Sequence, residues 1–330
     1  MNIVITGAAG YIGTLLIEKL SADPAVKTII CIDRLSPSEA ARQIPKTEWI
    51  AGDLATLDLR KAVNGHGRTH GPAVDVVIHC AFNIRNPYGR TKETETENLA
   101  AARNVFAFAF DAGAKKLIYL SSVAAYGARK ENEGVLLKET APLTETVNPY
   151  GYQKALVERV LLELMHDRTP ATGVSVLRLN SVTGPRGQSM ASKFGLITFL
   201  RKLLPFVIKA GPHWARQFVH EEDVRDAIIH IAKRPAAAQE NPAIYNVAPK
   251  KFLTANDIAR ILKKRTLRIP ARAVRPLFAI AWHGTHGRIP TPPEAAAGLI
   301  FPINVDGTKI ESTGFTYRYT AEEALLAKGK

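Results

Sequence analysis

The sequence predicts an α/β fold, a doubly wound parallel sheet followed by a smaller C-terminal domain. Three observations predict it. Short β-branched runs alternate with amphipathic stretches through the first half of the chain. Those runs are apolar at successive positions, as strands covered by helices on both faces are. A glycine-rich turn joins the first run to the first helical stretch.

Taken in order, strands are expected at Asn2–Thr6, at Thr28–Asp33, briefly around Trp49-Ile50, and at residues 74–80, 116–121 and 174–179. Helices are expected at Tyr11–Ser21 and at residues 94–112 and 150–167. After about Asn180 prolines and basic residues become more frequent, and residues 288–293 and Phe301-Pro302 read as loops. The expected division is a dinucleotide-type sheet domain over 1–180, with segments around 216–248 returning to it, and a smaller substrate domain over 181–330. No internal repeat or low-complexity tract interrupts either part.

At 330 residues, with 46% hydrophobic and 22% charged residues, the chain has the composition of a soluble globular protein. Its two cysteines, Cys31 and Cys80, lie in apolar runs, which argues against a disulfide framework or a Cys-based metal site and for a reducing cytoplasm. Met1-Asn2 leads straight into Ile3-Val4-Ile5, so no secretory leader is expected ahead of the first strand. Apolar stretches such as Leu277-Phe278-Ala279-Ile280-Ala281-Trp282 are too short to span a membrane. The net charge of +14 is concentrated late, at residues such as Arg201, Lys250, Lys251, Lys263, Arg265, Arg268, Arg272 and Arg275. Such a field suits an anionic substrate of the nucleotide diphosphate kind. It would also suit nucleic acid or an anionic membrane surface, or be simply a basic solvated surface. No nucleic-acid motif accompanies it, and a nucleic-acid partner is not expected.

The turn Thr6-Gly7-Ala8-Ala9-Gly10-Tyr11-Ile12-Gly13 spaces three glycines between a strand and a helix. Gly7 permits the tight turn, Gly10 lets the backbone approach a pyrophosphate, and Gly13 lets helix and strand close up. The free N–H groups of the helix start face the phosphates. Asp33 ends the next strand about 20 residues further on, where a carboxylate accepts bonds from the adenosine ribose. This combination identifies a Rossmann-type sheet that binds a nicotinamide dinucleotide. Asp33 would repel a 2′-phosphate and so favours NAD, while the adjacent Arg34 leaves NADP open. Asp53, in Gly52-Asp53-Leu54, could reach the adenine.

Tyr150 and Lys154 stand four apart at a helix start and so share one face. A free tyrosine titrates near 10 and is a poor base at neutrality, but a nearby ammonium favours its phenolate. The spacing is common; its position gives it weight. Upstream, Leu117-Ile118-Tyr119-Leu120-Ser121-Ser122 is a strand that ends in hydroxyls at the ligand edge of the sheet, where Ser122 could bond the same substrate oxygen as Tyr150.

These motifs together resemble the extended short-chain dehydrogenase/reductase family, in its NAD-dependent epimerase/dehydratase branch. The resemblance also rests on His79-Cys80-Ala81, Asn98, Tyr126-Gly127, Leu177-Arg178, Gly184-Pro185, Arg216-Gln217-Phe218-Val219-His220, Asp223-Val224 and Tyr245-Asn246-Val247, in the family's order, over residues 1 to about 250. It implies that Tyr150 is the catalytic acid/base, that Lys154 holds the nicotinamide ribose and tunes Tyr150, and that Ser122 bonds the reacting oxygen. It implies a cofactor lining of Gly7, Gly10, Tyr11, Ile12, Gly13, Asp33, Arg34, Asp53, Leu54, Cys80, Ala81, Phe82 and Asn98, with Tyr150 and Lys154. Ser181 and Arg216 would meet the substrate, Arg216 gripping a diphosphate. Ser181 stands where the family often has Asn and Thr183 where it often has Tyr. Ser122 is followed by Val123-Ala124 rather than the Asp-Glu pair of the dehydratases, which argues against elimination of water. His79 and the segment Trp282-His283-Gly284-Thr285-His286 are read as structural, and no metal site is expected.

The leading expectation is therefore an NAD-dependent epimerase that takes a nucleotide sugar through a transient keto intermediate without consuming cofactor. The alternative is an NAD(P)-dependent dehydrogenase or reductase of another alcohol/carbonyl pair. More remote is a dinucleotide-sensing binding protein. Relatives commonly pair through two long helices, here 94–112 and 150–167, so a homodimer is in view; the sugar itself is left open.

Overall fold

Ile3, Val4 and Ile5 have no exposed surface and form the middle of β1 (Asn2–Thr6), the strand around which the sheet is built. A computed structural model describes residues 1–65, 73–85, 87–190, 201, 204–235 and 240–327. After β1 come α1 (Tyr11–Ser21), β2 (Thr28–Asp33), α2 (Glu39–Arg42), β3 (Thr47–Ala51), α3 (Leu59–Asn64), β4 (Val76–His79), α4 (Thr91–Asp111), β5 (Lys116–Ser122), α5 (Pro149–Arg168) and β6 (Gly173–Leu179). The later half adds β7 (Ser181–Thr183), α6 (Pro185–Met190), β8 (Phe206–Lys209), β9 (Ala215–Arg216), β10 (Phe218–His220), α7 (Glu221–Lys233), β11 (Ala243–Val247), β12 (Leu253–Thr254), α8 (Ala255–Ile261), β13 (Arg265–Arg268) and α9 (Ala271–Gly284).

Seven strands make one sheet in the order β3-β2-β1-β4-β5-β6-β11, with every pairing parallel. The chain winds outward from β1 to β3, then returns to the other side of β1 at β4. Strand order thus reverses between β1 and β4, and the crevice beyond their carboxyl ends is where such sheets bind ligands. The register sets Thr6 beside both Ile32 and His79, and Ser122 beside Leu179. β11 comes from the later half of the chain and completes the sheet beside β6.

Successive residues of β1 serve opposite faces. Ile3 and Ile5 pack with Leu16, Ile17 and Leu20 of α1 and with Val224, Ile228 and Ile231 of α7. Val4 packs with Val105, Phe106 and Ala109 of α4 and Val157, Leu161 and Leu164 of α5. Each such side chain removed from water contributes about 1.5–3 kcal/mol, which is why the strand is apolar throughout. A further cluster of Val207, Trp214, Phe218, Leu253, Ile258, Val274, Leu299 and Leu325 is drawn from the later half. The strands there are short pairs: β7 with β10, β9 with β12 and β8 with β13.

Candidate active site

The glycine turn lies at the carboxyl end of β1. Gly7 has φ +70°, and a Cβ there would stand 2.6 Å from the Ala81 backbone nitrogen. A Cβ on Gly13 would stand 2.3 Å from the Gly7 carbonyl oxygen. Strand, turn and α1 therefore close to a distance that only glycine permits. Gly10 caps α1 without a side-chain bond, so the helix start offers its own N–H groups, and its dipole, to an anion.

Beside the turn a cleft of about 320 Å³ runs past Asp33, Arg34, Asp53, Leu54, Phe82 and Asn98. Asp33 is buried at the end of β2. Its Oδ2 accepts from the Ala9 backbone at 3.0 Å and its Oδ1 from the Leu35 backbone at 2.9 Å, so the turn itself fixes the carboxylate. Arg34 donates to Asn83 Oδ1 at 2.7 Å. Asp53 is exposed and accepts from the Ala55 backbone at 2.9 Å, while buried Leu54 offers its carbonyl to Asn104. Asn98 accepts from the Asn83 backbone at 2.8 Å and donates to Gln153 at 2.9 Å, which ties Asn83, the residue after Phe82, to α5. A glycine cradle that any Cβ would fill, a helix start and a fixed carboxylate at the ribose end fit a dinucleotide such as NAD.

A second cavity of about 460 Å³ shares Tyr11, Ile12, Cys80, Phe82 and Ile84 with the first. Ser122, Tyr150, Lys154, Ser181 and Arg216 all line it. α5 starts where it does because Asn148 accepts from the Tyr150 backbone at 3.0 Å and Pro149 occupies the first turn, where its missing N–H costs nothing. That start sets Tyr150 on the same cavity as Ser122, whose hydroxyl acts on its titration. The Tyr150 ring meets Phe82 edge-on at 5.8 Å. Ser122 in turn accepts from the Ala124 backbone at 3.2 Å. Lys154 is buried; its Nζ donates to the Leu120 carbonyl at 2.7 Å and stands 3.7 Å from the centre of the Phe82 ring.

Burial sets the titration of both side chains. It draws the Lys154 ammonium down to about 7, with Glu158 opposing the shift. It raises the Tyr150 hydroxyl above its ordinary value of 10, and the neighbouring Ser122 hydroxyl opposes that rise. The sequence argues for a phenolate favoured by Lys154; within the chain, desolvation outweighs it and Ser122 is the stabilising neighbour.

Arg216, on β9, donates to Ser181 Oγ and to the Gly298 carbonyl, each at 3.3 Å, and no carboxylate pairs with it among the described residues. Burial lowers its guanidinium to about 10. A desolvated cation without a counter-charge on a cavity wall is a place for an anion.

Two arrangements escape sequence reasoning. Glu158, one turn beyond Lys154 on the same helix face, accepts from Ser121 Oγ at 2.5 Å and pairs with Arg178 at 2.7 Å. Arg178 also donates to the Tyr126 hydroxyl at 2.7 Å, which donates to Asn246 at 2.8 Å. The repeat Tyr150, Lys154, Glu158 was the available signal. The other arrangement is Glu221, which accepts from the Tyr11 hydroxyl at 2.5 Å and from the Arg186 and Gly187 backbones at 2.9 Å, tying the glycine turn to the start of α6. His79 lies in the core, bonded to Thr6 Oγ1 at 2.7 Å and packed on Phe106 and Tyr119.

Comparison with known proteins places these features. The model of the NAD dependent epimerase/dehydratase family matches residues 3–248. An Arabidopsis thaliana trifunctional UDP-glucose 4,6-dehydratase/UDP-4-keto-6-deoxy-D-glucose 3,5-epimerase/UDP-4-keto-L-rhamnose-reductase is 27% identical over 80% of the chain, which spans only 39% of that protein's length. The N-acetyl-alpha-D-glucosaminyl-diphospho-ditrans,octacis-undecaprenol 4-epimerase of Escherichia coli O157:H7 is 24% identical, over 98% of this chain and 93% of that one. In fold, the chain is similar to the Bacillus cereus UDP-glucuronic acid 4-epimerase solved with UDP-glucuronic acid and NAD, with a TM-score of 0.72, 18% identity, and coverage of 99% of this chain and 97% of the other.

Proposed function

The chain belongs to the NAD dependent epimerase/dehydratase family, and on that premise we propose that it epimerises a sugar carried on a diphosphate, a nucleotide sugar first among them, through a transient keto intermediate. The observation that carries this reading is the gathering of Tyr150, Ser122 and Lys154 on the second cavity, which meets the dinucleotide cleft along Tyr11, Ile12, Cys80, Phe82 and Ile84. Tyr150 takes the proton of the sugar hydroxyl and later returns it. Ser122 bonds the same oxygen and holds it as charge develops. Lys154 positions the nicotinamide ribose. Bound NAD would supply an oxidised ring able to hold the hydride of the sugar carbon until the keto sugar presents its other face, and a positive charge that offsets the burial of Tyr150. Arg216 takes the diphosphate, the group shared by the substrates that the E. coli and B. cereus relatives are named for.

On this reading residues 1–180, with segments around 216–248, hold the dinucleotide and residues 181–330 cover the sugar. The free thiols of Cys31 and Cys80 suit the cytoplasm. The residues after Ser122, Val123 and Ala124, offer no acid to stage an elimination.

The test is incubation of the NAD-loaded protein with UDP-hexoses and UDP-glucuronic acid, following epimers by chromatography and reduced cofactor by absorbance. Epimer without accumulating reduced cofactor is the expected result, with Tyr150→Phe slower by about 10²–10⁴-fold. Stoichiometric reduction of cofactor by a free alcohol would replace the epimerase with a dehydrogenase. Full activity in Tyr150→Phe would remove the assignment of acid/base.

A further inference from the structure

Between Asp257 and Glu294 the chain carries eight Lys or Arg residues and not one Asp or Glu. Much of this charge falls on β13, which is exposed at every position, and on α9. α9 holds to the body of the protein through Val274 and Phe278, four apart and so on one face, which join the cluster around Trp214 and Leu299. Its outer side is not polar. Ile280 is 71% exposed and Leu277 49%, and Leu267 on β13 is also exposed. In the same stretch Arg265 and Arg268 on β13, and Arg272 and Arg275 on α9, are exposed and form no ion pair among the described residues.

Exposed branched apolar side chains beside unpaired arginines are what a helix lying in a bilayer interface presents. The apolar residues enter the acyl boundary while guanidinium groups meet lipid phosphates. A nucleic acid would use the arginines and leave Leu277 and Ile280 without a partner. A protein groove would take the apolar residues, but no acidic residue lies in this stretch to fix a register. We propose that the outer side of α9, with the basic β13 that precedes it in the chain, docks this enzyme on the surface of an anionic lipid bilayer. No helix among the described residues is long and apolar enough to cross a membrane.

Docking bears on the catalytic cavity through one short connection. At the far end of α9, His283 bonds the Tyr88 hydroxyl at 3.0 Å and Trp282 packs on the Tyr88 ring at 5.6 Å. Tyr88 follows by four residues Ile84, which lines both cavities. The helix that meets the bilayer therefore also holds Tyr88, four residues along the chain from the cavity wall. Granting the epimerase reading above, that arrangement suits a sugar diphosphate whose carrier is a membrane lipid. The docking itself does not depend on that reading.

The experiment is co-sedimentation of the whole protein with vesicles of phosphatidylcholine, with and without phosphatidylglycerol, which needs no activity and so can fail separately from the epimerase assay. Retention is expected only with phosphatidylglycerol, weakening as salt rises. The double change Arg272→Gln with Arg275→Gln should weaken it by roughly 30-fold, each charge near the surface counting for about a factor of five. Leu277→Ser with Ile280→Ser should also release the protein at low salt. Both variants keep NAD binding and melting temperature, because these side chains face outward. No retention at low salt, equal retention on both vesicles, or retention unchanged in both variants would overturn the proposal. So would a dimer that either variant dissociates, since a second copy would then cover the face.

Discussion

The Glu158 carboxylate and the Arg178 guanidinium meet at 2.7 Å with side chains only 6% and 4% exposed, joining α5 to β6 beside the carboxyl end of β5. Glu158 also holds Ser121, the neighbour of Ser122, and stands four residues from Lys154. A buried ion pair is costly to form, but more costly to break on one side, because the remaining charge has no water to return to. Glu158→Ala should therefore lose about 3–5 kcal/mol of stability in urea unfolding. Glu158→Met with Arg178→Met should lose less than the two single changes added together, since no charge is left stranded. Additive losses would show that the pair acts as two independent residues.

Gly13→Ala places a Cβ 2.3 Å from the Gly7 carbonyl, which is backbone and cannot swing aside. α1 must then move off β1, by an overpacking that costs about 1–3 kcal/mol. The same movement opens the turn that holds the Ala9 backbone on Asp33. NAD affinity, read by titration calorimetry, should fall by roughly tenfold or more, in step with that energy. Unchanged affinity would mean that the dinucleotide does not sit on this turn.

How much of this was legible differs along the chain. β1, β2 and α1 begin and end where the sequence places them, because continuous apolar runs are bounded by glycines and an acid. α4 begins at Thr91, three residues before the expected start at Thr94, since its first turn is polar and exposed and carries no periodic signal. Beyond Asn180 the strands are as short as two residues, too short for any alternation to register. Tyr150 and Ser122 could be placed from the sequence because each lies at an element end beside a recognisable run, and Lys154 because it follows Tyr150 by one helical turn. The pairing of Glu158 with Arg178 depends on the β5–β6 register, and that of Tyr11 with Glu221 on residues 210 positions apart. No local pattern holds either.

Arg216 gives the substrate side of the proposed reaction a separable test. Its guanidinium is desolvated and faces the cavity with only neutral partners. Arg216→Met removes charge-assisted bonds worth about 1.5–3 kcal/mol, so kcat/KM should fall roughly 10–100-fold, mostly through KM. Arg216→Lys should recover part of the loss as a point charge without the bidentate fork. A loss confined to kcat would place Arg216 with the reacting atoms instead of the diphosphate.

His79 makes the fold itself sensitive to acid. Complete burial drives its imidazole from 6.5 down to about 3, and the nearby Lys154 ammonium pushes the same way. Between those values the unfolded chain takes up a proton that the folded chain refuses, so the unfolded state binds more protons and stability must rise with pH across the window. The contribution of His79 is therefore complete above about 6.5 and is lost as pH falls toward 3. At 1.36 kcal/mol per pKa unit it is on the order of a few kcal/mol. His79→Gln keeps a neutral partner for Thr6 Oγ1 but cannot be protonated. It should be less stable than the native chain at pH 8, through lost packing on Phe106 and Tyr119. The deficit should shrink steadily on acidification, as the native chain alone loses the His79 contribution. Carboxylates elsewhere titrate in both proteins and cancel in the difference. Unfolding free energies that stay parallel from pH 8 to pH 4 would mean that His79 is protonated in the folded state after all.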